Sequence, residues 1–438
     1  MLYINLKMII NILLILTLIG SLIFFYSLLN GFSAFLKVIF SLFGSIFYSV
    51  SLLPLSFFAG IKLYYLYLFS IVIILYWLYH KKTINKVLVL DLFKIKNFIL
   101  LFIVVFSSYQ YFRNDPTWGD WDAWAIWNLK AKFLSDETNW KNMFSIGIKY
   151  SHLEYPLILP SIIATIWNLI GDTNIYTPML ISYFIFISII TISFYSLDSI
   201  IFSIFFSSLL FMDSGFISQA SQQYADTLLG LTFLISVMLL VNYIKYKNIN
   251  HLFVLGFFIS ASIFIKNDGW IFFILMLIAS IYYAYNKARH LKILFLSCSF
   301  FLFLALILKL ISPDPNDLFD DSFKNIISRL FEFNRYTLII NHILLRFFVN
   351  FQMLFLLGLL IISILPLKSF LIPYLILIFT AVGYFFIYLI TPHDLQWHLS
   401  TSALRLMYQL YPSFLYLFFK SIQNKSSDNL SKYKNPRI

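Results

Sequence analysis

Long apolar runs recur along the whole chain, broken by short polar stretches. A helix needs about 20 consecutive apolar residues to cross about 30 Å of hydrocarbon. About fourteen segments meet or approach that length: 8–29, 33–56, 61–79, 97–112, 157–170, 176–194, 199–212, 226–244, 251–265, 270–286, 292–311, 341–364, 370–390 and 404–420. Two or three of them are short for a full crossing. The pattern predicts an all-α polytopic membrane protein with a bundle of about 12–14 transmembrane helices. No internal repeat and no soluble domain interrupts it.

Lysines and arginines orient the spans, because cytoplasmic loops carry the excess of positive charge. Lys81, Lys82, Lys86, Lys94 and Lys96 mark one cytoplasmic loop, Lys245 and Lys247 a second, Lys287, Arg289 and Lys292 a third, and the tail from Lys420 to Arg437 the last. Four polar segments then fall on the other side: 113–156, 213–225, 312–340 and 391–403. One parity conflict remains. No Lys or Arg occurs between Lys149 and Lys245, and three full crossings by 157–170, 176–194 and 199–212 put 213–225 on the cytoplasmic side. A partial, tilted or re-entrant course for 157–170 or 199–212 removes the conflict.

Composition sharpens this picture. Of 438 residues, 61% are hydrophobic and only 11% are Asp, Glu, Lys or Arg, far from the composition of a soluble domain. The first run, Met8 to Leu29, lacks a small-residue cleavage site and is expected to stay in the protein. The single cysteine, Cys298, excludes a disulfide framework. The formal charge of +12 gathers in inter-span loops and the tail, so it argues for membrane topology and against a nucleic-acid partner.

Against this oily background one stretch stands out: Asp115-Pro116-Thr117-Trp118-Gly119-Asp120-Trp121-Asp122-Ala123-Trp124. Five of the nine tryptophans fall between Trp118 and Trp140, and six of the nineteen acidic residues between Asp115 and Glu154. Indoles favour the lipid–water boundary, where one edge is apolar and the N–H finds a partner. Residues from about Asp122 to Leu134 predict a short surface helix with Asp122 as its N-cap and Ala123, Ile126, Trp127 and Leu134 on its buried face. A carboxylate there, at Asp120 or Asp122, can take a proton from an attacking alcohol. The plain alternative is a helix cap and solvated acids.

Four further constellations carry chemistry. His152 and Glu154, just before Pro156, can bind substrate hydroxyls, or merely be boundary residues; one His and one Glu make a weak metal signal. Tyr224-Ala225-Asp226 places an acid at the lip of a span, which needs water, a capping role or an ion partner. Lys266-Asn267-Asp268-Gly269 separates two spans with almost no loop, and Lys266 there calls for Asp268 or a phosphate. In the fourth, a helix from about Asp394 puts Asp394, His398, Ser402 and Arg405 on one face, next to His393 and Trp397. That face suits a phosphate, or pairs within itself. The chain has no Gly-rich phosphate loop, no His-Glu-x-x-His and no nucleotide fingerprint.

The ordered set Trp121–Lys132, Glu154-Tyr155-Pro156-Leu157, Tyr224-Ala225-Asp226, Lys266–Gly269, His393–Ser402 and Arg405 resembles bacterial GT-C glycosyltransferases. These are the group of the protein mannosyltransferases and the lipid A aminoarabinose transferases. The resemblance covers about residues 97–412 and implies a GT-C-like bundle with short amphipathic helices in its first large external loop. It divides the chain into extra N-terminal segments over 1–96, a catalytic domain over 97–420 and a basic cytoplasmic tail over 421–438. It implies inverting transfer of a sugar from a polyprenyl-phosphate carrier to a glycan, lipid or protein acceptor, on the outer face of the bacterial cytoplasmic membrane. Asp120 or Asp122 matches the family's catalytic acid and Asp226 its second acid. Arg405, His398, Lys266, Lys130 and Lys132 are the expected phosphate contacts. His152, Glu154, Tyr224, Asp268, His393, Asp394 and Trp397 are the expected substrate contacts. No cofactor is required, although a divalent metal is compatible with this chemistry. The rivals are a polymerase or ligase of lipid-linked glycans, which relies on arginines and a histidine in external loops, and a transporter or flippase, which needs charges at mid-membrane depth.

Overall fold

The computed structural model describes residues 2–81, 95–313, 323–349 and 368–434. The lysines of 82–94, the tail beyond Lys434, part of the polar segment 312–340 and most of the span expected over 341–364 lie outside the described residues. All regular elements described are helical: α1 (Leu2–Leu28), α2 (Ala34–Ala59), α3 (Leu63–Lys81), α4 (Ile95–Arg113), α5 (Leu129–Leu134), α6 (Ile158–Ile170), α7 (Tyr176–Tyr195), α8 (Ile200–Phe211), α9 (Ser214–Ser221), α10 (Ala225–Tyr246), α11 (Ile249–Ile265), α12 (Gly269–Ala284), α13 (Ala288–Ile311), α14 (Phe323–Leu330), α15 (Phe333–Val349), α16 (Lys368–Ile390) and α17 (Leu395–Lys434).

Among the described residues, α1, α2, α4, α7, α10, α13 and α16 are long and apolar enough to cross a membrane, and α8 with α9 forms an eighth such unit bent by 63°. The chain is therefore a polytopic helical membrane protein. Its outer faces agree: Phe98, Leu101, Phe102 and Val105 of α4 are each more than half exposed. A continuous apolar face of this kind suits lipid rather than water. The centre is α10, whose buried residues run almost unbroken from Ala225 to Leu240. It packs on α11 and α17. The N-terminal helices join the same core through Phe25 against Phe257 (ring centroids 4.8 Å apart) and Phe47 against Phe258 (5.8 Å).

Specific contacts fix the direction of each helix. Tyr183 on α7 meets Ser108 on α4 (2.6 Å) and the Tyr111 hydroxyl donates to the Met179 carbonyl, whereas Lys96 at the start of α4 donates to the Leu197 carbonyl past the end of α7. The two helices are antiparallel, so Arg113 and Tyr176 lie at one end of the bundle. Glu154 and Pro156, which lead into α6, are at that same end, since Asn267 donates to the Glu154 side chain, its neighbour Lys266 pairs with Asp226 at the start of α10, and Gln223 just before α10 donates to the Pro116 carbonyl close after Arg113. Both ends of α6 therefore belong to one side, and its thirteen residues, about 20 Å long, do not traverse the bundle. In contrast, α8 and α9 do traverse it: Asp198 bonds Lys420 at one end, and Asp213 bonds Tyr408 at the other. The parity conflict is resolved at 157–170 and not at 199–212.

As a result, the described parts of the four polar segments share one end of the bundle. Arg329 and Arg335 join them there through the Ile390, Tyr388 and Thr391 carbonyls. Lys245, Lys247, Lys287 and Arg289 lie at the helix ends facing the other way.

Candidate functional site

The surface helix expected over Asp122–Leu134 forms, as a π-helical turn over Ala123–Asn128 that runs into α5. The four positions expected to face inward do so: Ala123, Trp127 and Leu134 are fully buried and Ile126 nearly so. Asp122, however, makes no capping bond. Its carboxylate reaches across 283 residues of sequence and accepts from Arg405 Nη1 at 2.7 Å. The second fork of Arg405, Nη2, donates to Asp226 Oδ2 at 3.1 Å. The guanidinium also lies over the Tyr224 ring, 4.2 Å from its centroid, an arrangement that adds cation–π attraction.

Asp226 is the hub. It sits in the first turn of α10 and is 0% exposed. Oδ1 accepts from Lys266 Nζ at 2.8 Å and from Gln409 Nε2 at 2.7 Å, and Oδ2 accepts from Arg405. An unpaired carboxylate at this depth is strongly unfavourable, and this set of donors removes that cost. Lys266 also pairs with Asp268 at 2.8 Å. Burial opposes its charge, but Asp226 and Asp268 outweigh burial and hold the ammonium above its ordinary pKa. Gln409 closes the ring, donating weakly to Asp268 (3.3 Å) and accepting from the Tyr384 hydroxyl at 2.7 Å.

Exposure divides this network into two tiers. Asp226 and Lys266 are buried, whereas Asp122 retains 22% and Arg405 18% side-chain exposure. Two carboxylates touch the buried tier and also meet solvent: Asp122, on Arg405, and Asp268, which is 20% exposed and pairs with Lys266. Asp120 is exposed, and its carboxylate accepts from the Trp121 N–H. It lies beside Tyr224, whose hydroxyl is raised above its usual pKa by burial and by the charges of Asp122 and Asp120.

The loop that carries Asp120 and Asp122 is locked to the turn before α10. The Gln223 side chain donates to the Pro116 and Thr117 carbonyls, and the Asp120 N–H donates to the Gln222 carbonyl. Gly119 makes this possible: its φ is +65°, and a Cβ would stand 2.9 Å from the Gln222 carbonyl oxygen.

The other expected residues fall into separate places. Lys130 is fully buried and donates to the carbonyls of His152 (2.7 Å), Leu153 (3.2 Å) and Tyr155 (3.2 Å). Burial pushes it down to about 7, with Glu154 opposing and Lys309 adding to the shift. It staples the loop and has no opening to a phosphate. Lys132 is exposed. The His152 ring stacks on Tyr155 at 4.4 Å, and the buried Glu154 meets Asn267. Neither reaches Asp226 directly.

On α17, which begins at Leu395 as expected, Asp394 caps the helix through the Trp397 N–H at 2.7 Å. His393 and Trp397 are exposed and in ring contact. His398 Nδ1 bonds Thr391 at 3.0 Å, and burial together with His393 pushes its pKa down to about 4. These surroundings favour the neutral imidazole. The pairing of Arg405 within its own helix does not occur; both of its acidic partners come from elsewhere in the chain.

Two contributors escaped sequence reasoning. Gln409 is one turn beyond Arg405 on the same face, and i, i+4 spacing could have found it. Tyr408 donates to the buried Asp213 at 2.7 Å at the α8–α9 bend, and no local signal links that pair. Among the described residues no cluster of three or more His, Cys, Asp or Glu is arranged to hold a metal ion. No known protein family, curated protein or solved structure matches this chain.

Proposed function

We propose that this protein is a membrane glycosyltransferase that moves a sugar from a polyprenyl-phosphate carrier to an acceptor outside the cytoplasm, with Asp122 as the general base. The observation that carries the reading is the bridge Asp122–Arg405–Asp226, in which one fork of the guanidinium is anchored in the core and the other holds a partly exposed carboxylate. The location supports it too: the bridge lies at the end of the bundle away from the lysine-rich loops, which the charge rule makes the outer end.

Arg405 is suited to a phosphate, since its fork matches two oxygens and its charge is fixed. A donor phosphate takes the place of the Asp122 carboxylate on Nη1, while Asp226 keeps the guanidinium in position. Asp122 is thereby released and accepts the proton of the acceptor hydroxyl. The hydroxyl oxygen attacks the anomeric carbon from the side opposite the phosphate. The C1–O bond breaks, the phosphate oxygen keeps the electron pair, and Arg405 meets the developing charge. Configuration at C1 inverts. Asp226, Lys266 and Gln409 act as positioning residues. Asp268 and Tyr224 shape the rim.

The test is release of polyprenyl phosphate by the full chain in nanodiscs, supplied with a panel of polyprenyl-phosphate monosaccharides and cell-envelope extract as acceptor source. Asp122→Asn should lower the rate by about 10²–10⁴-fold with helicity unchanged. Wild-type turnover in that variant removes Asp122 as the base.

A further inference from the structure

We infer that the exposed aromatic face around Asp120 is a docking platform for a sugar ring, which makes the acceptor a glycan. This rests on the transferase reading and narrows the acceptor that reading leaves open. Trp118, Trp121 and Tyr150 are 61%, 60% and 54% exposed. They are held in defined orientations. The Trp124 Nε1 donates to the Trp118 carbonyl, and the two indoles lie 6.2 Å apart at 51°. The Trp121 ring lies 6.4 Å from that of Tyr150, at 57°.

Charge decides what this face takes. No Lys or Arg occurs between Arg113 and Lys130, while Asp115, Asp120 and Asp122 all do. An anionic headgroup on these indoles therefore meets carboxylates of its own loop, and the cation that bonds Asp122, Arg405, comes from α17 and is already shared with Asp226. Anchoring in the bilayer interface uses indoles alone and gains nothing from carboxylates at the same depth. A neutral, polyhydroxylated ring matches both features: its C–H faces lie on the indoles, and its hydroxyls donate to carboxylate oxygens. Asp120 and Asp122 are two residues apart on one turn, so a ring seated against Asp120 presents a hydroxyl to the base.

The experiment is saturation-transfer NMR on the full chain in nanodiscs, with maltotriose and chitotriose as neutral probes and phosphocholine as headgroup probe. Both tryptophans are largely exposed, so their removal leaves the core intact. The expected result is transfer to trisaccharide ring protons, reduced at least fivefold in Trp118→Ala and Trp121→Ala and retained in Trp121→Tyr. No transfer to either trisaccharide, equal transfer in both alanine variants, or transfer to phosphocholine alone overturns the platform. Binding is read here without chemistry, so the two readings fail separately. Trisaccharide binding in a protein that never releases polyprenyl phosphate keeps the platform and sinks the transferase. Release without trisaccharide binding does the reverse.

Discussion

Removing Asp226 and removing Asp122 should have opposite signatures. Asp226→Ala deletes a carboxylate with no exposure that accepts from Lys266, Gln409 and Arg405 at 2.8, 2.7 and 3.1 Å. Hydrogen bonds to charged groups contribute about 1.5–3 kcal/mol each, which sums to about 5–9 kcal/mol. The loss is smaller, because Lys266 keeps Asp268 and Arg405 keeps Asp122. Truncating a buried ion pair typically costs about 3–5 kcal/mol, and that range is expected here. Asp122→Ala deletes one bond from a carboxylate that is 22% exposed. Solvent screening brings that pair to about 1 kcal/mol. Equilibrium unfolding in mixed SDS micelles, followed by far-UV circular dichroism, measures both. Asp226→Ala should be the less stable by about 2–4 kcal/mol, while Asp122→Ala keeps the fold and loses transfer. Equal destabilisation by the two, or a stable Asp226→Ala, refutes the division into a buried anchor and a working carboxylate.

Other consequences follow from the same geometry. Gly119→Ala places a Cβ against the Gln222 carbonyl at a left-handed φ and should cost more than about 1 kcal/mol. Limited proteolysis within 113–122 should speed up and transfer should fall. Arg405→Lys keeps the charge but not the fork, so the apparent KM for the lipid-phosphate donor should rise at least tenfold while Asp226 stays paired; an unchanged KM argues against a phosphate on Arg405. Lys130 has a folded pKa pushed down to about 7, below its unfolded value near 10.5. The unfolded chain then binds more protons between those values, so stability should climb from pH 7 towards pH 10. That slope should flatten in Lys130→Met, as read by thermal melting across the pH series.

Much of the fold was written in the apolar spacing. The spans around α1, α2, α4, α7, α10, α13 and α16 could be placed from hydropathy alone, because a helix inside a membrane bundle faces lipid or other apolar helices and leaves no polar face to confuse the pattern. The buried face of the surface helix was equally legible at Ala123, Ile126, Trp127 and Leu134, since local periodicity sets it. Crossing was harder to read. Segments 157–170 and 199–212 are both short and apolar, and only contacts at Glu154, Asp198 and Asp213 show that the second traverses the bundle and the first does not. The acids of the site announced themselves through rarity in an oily chain. Their pairing did not, because Arg405 meets Asp122 and Asp226 from 283 and 179 residues away, and no local rule spans such distances. Lys130 misled for a related reason. A lysine beside a cluster of acids suggests an anion site, but the loop's own carbonyls consume its protons.

Lipid-linked sugars report on the proposed reaction in the cell. In a strain lacking the protein, mass spectrometry should find one polyprenyl-phosphate monosaccharide accumulating and one surface glycan losing a sugar, with both changes reversed by the wild-type chain and neither by Asp122→Asn. A lipid-linked pool that is identical in the three strains contradicts the exchange of a donor phosphate for Asp122 on Arg405, and with it the transferase reading.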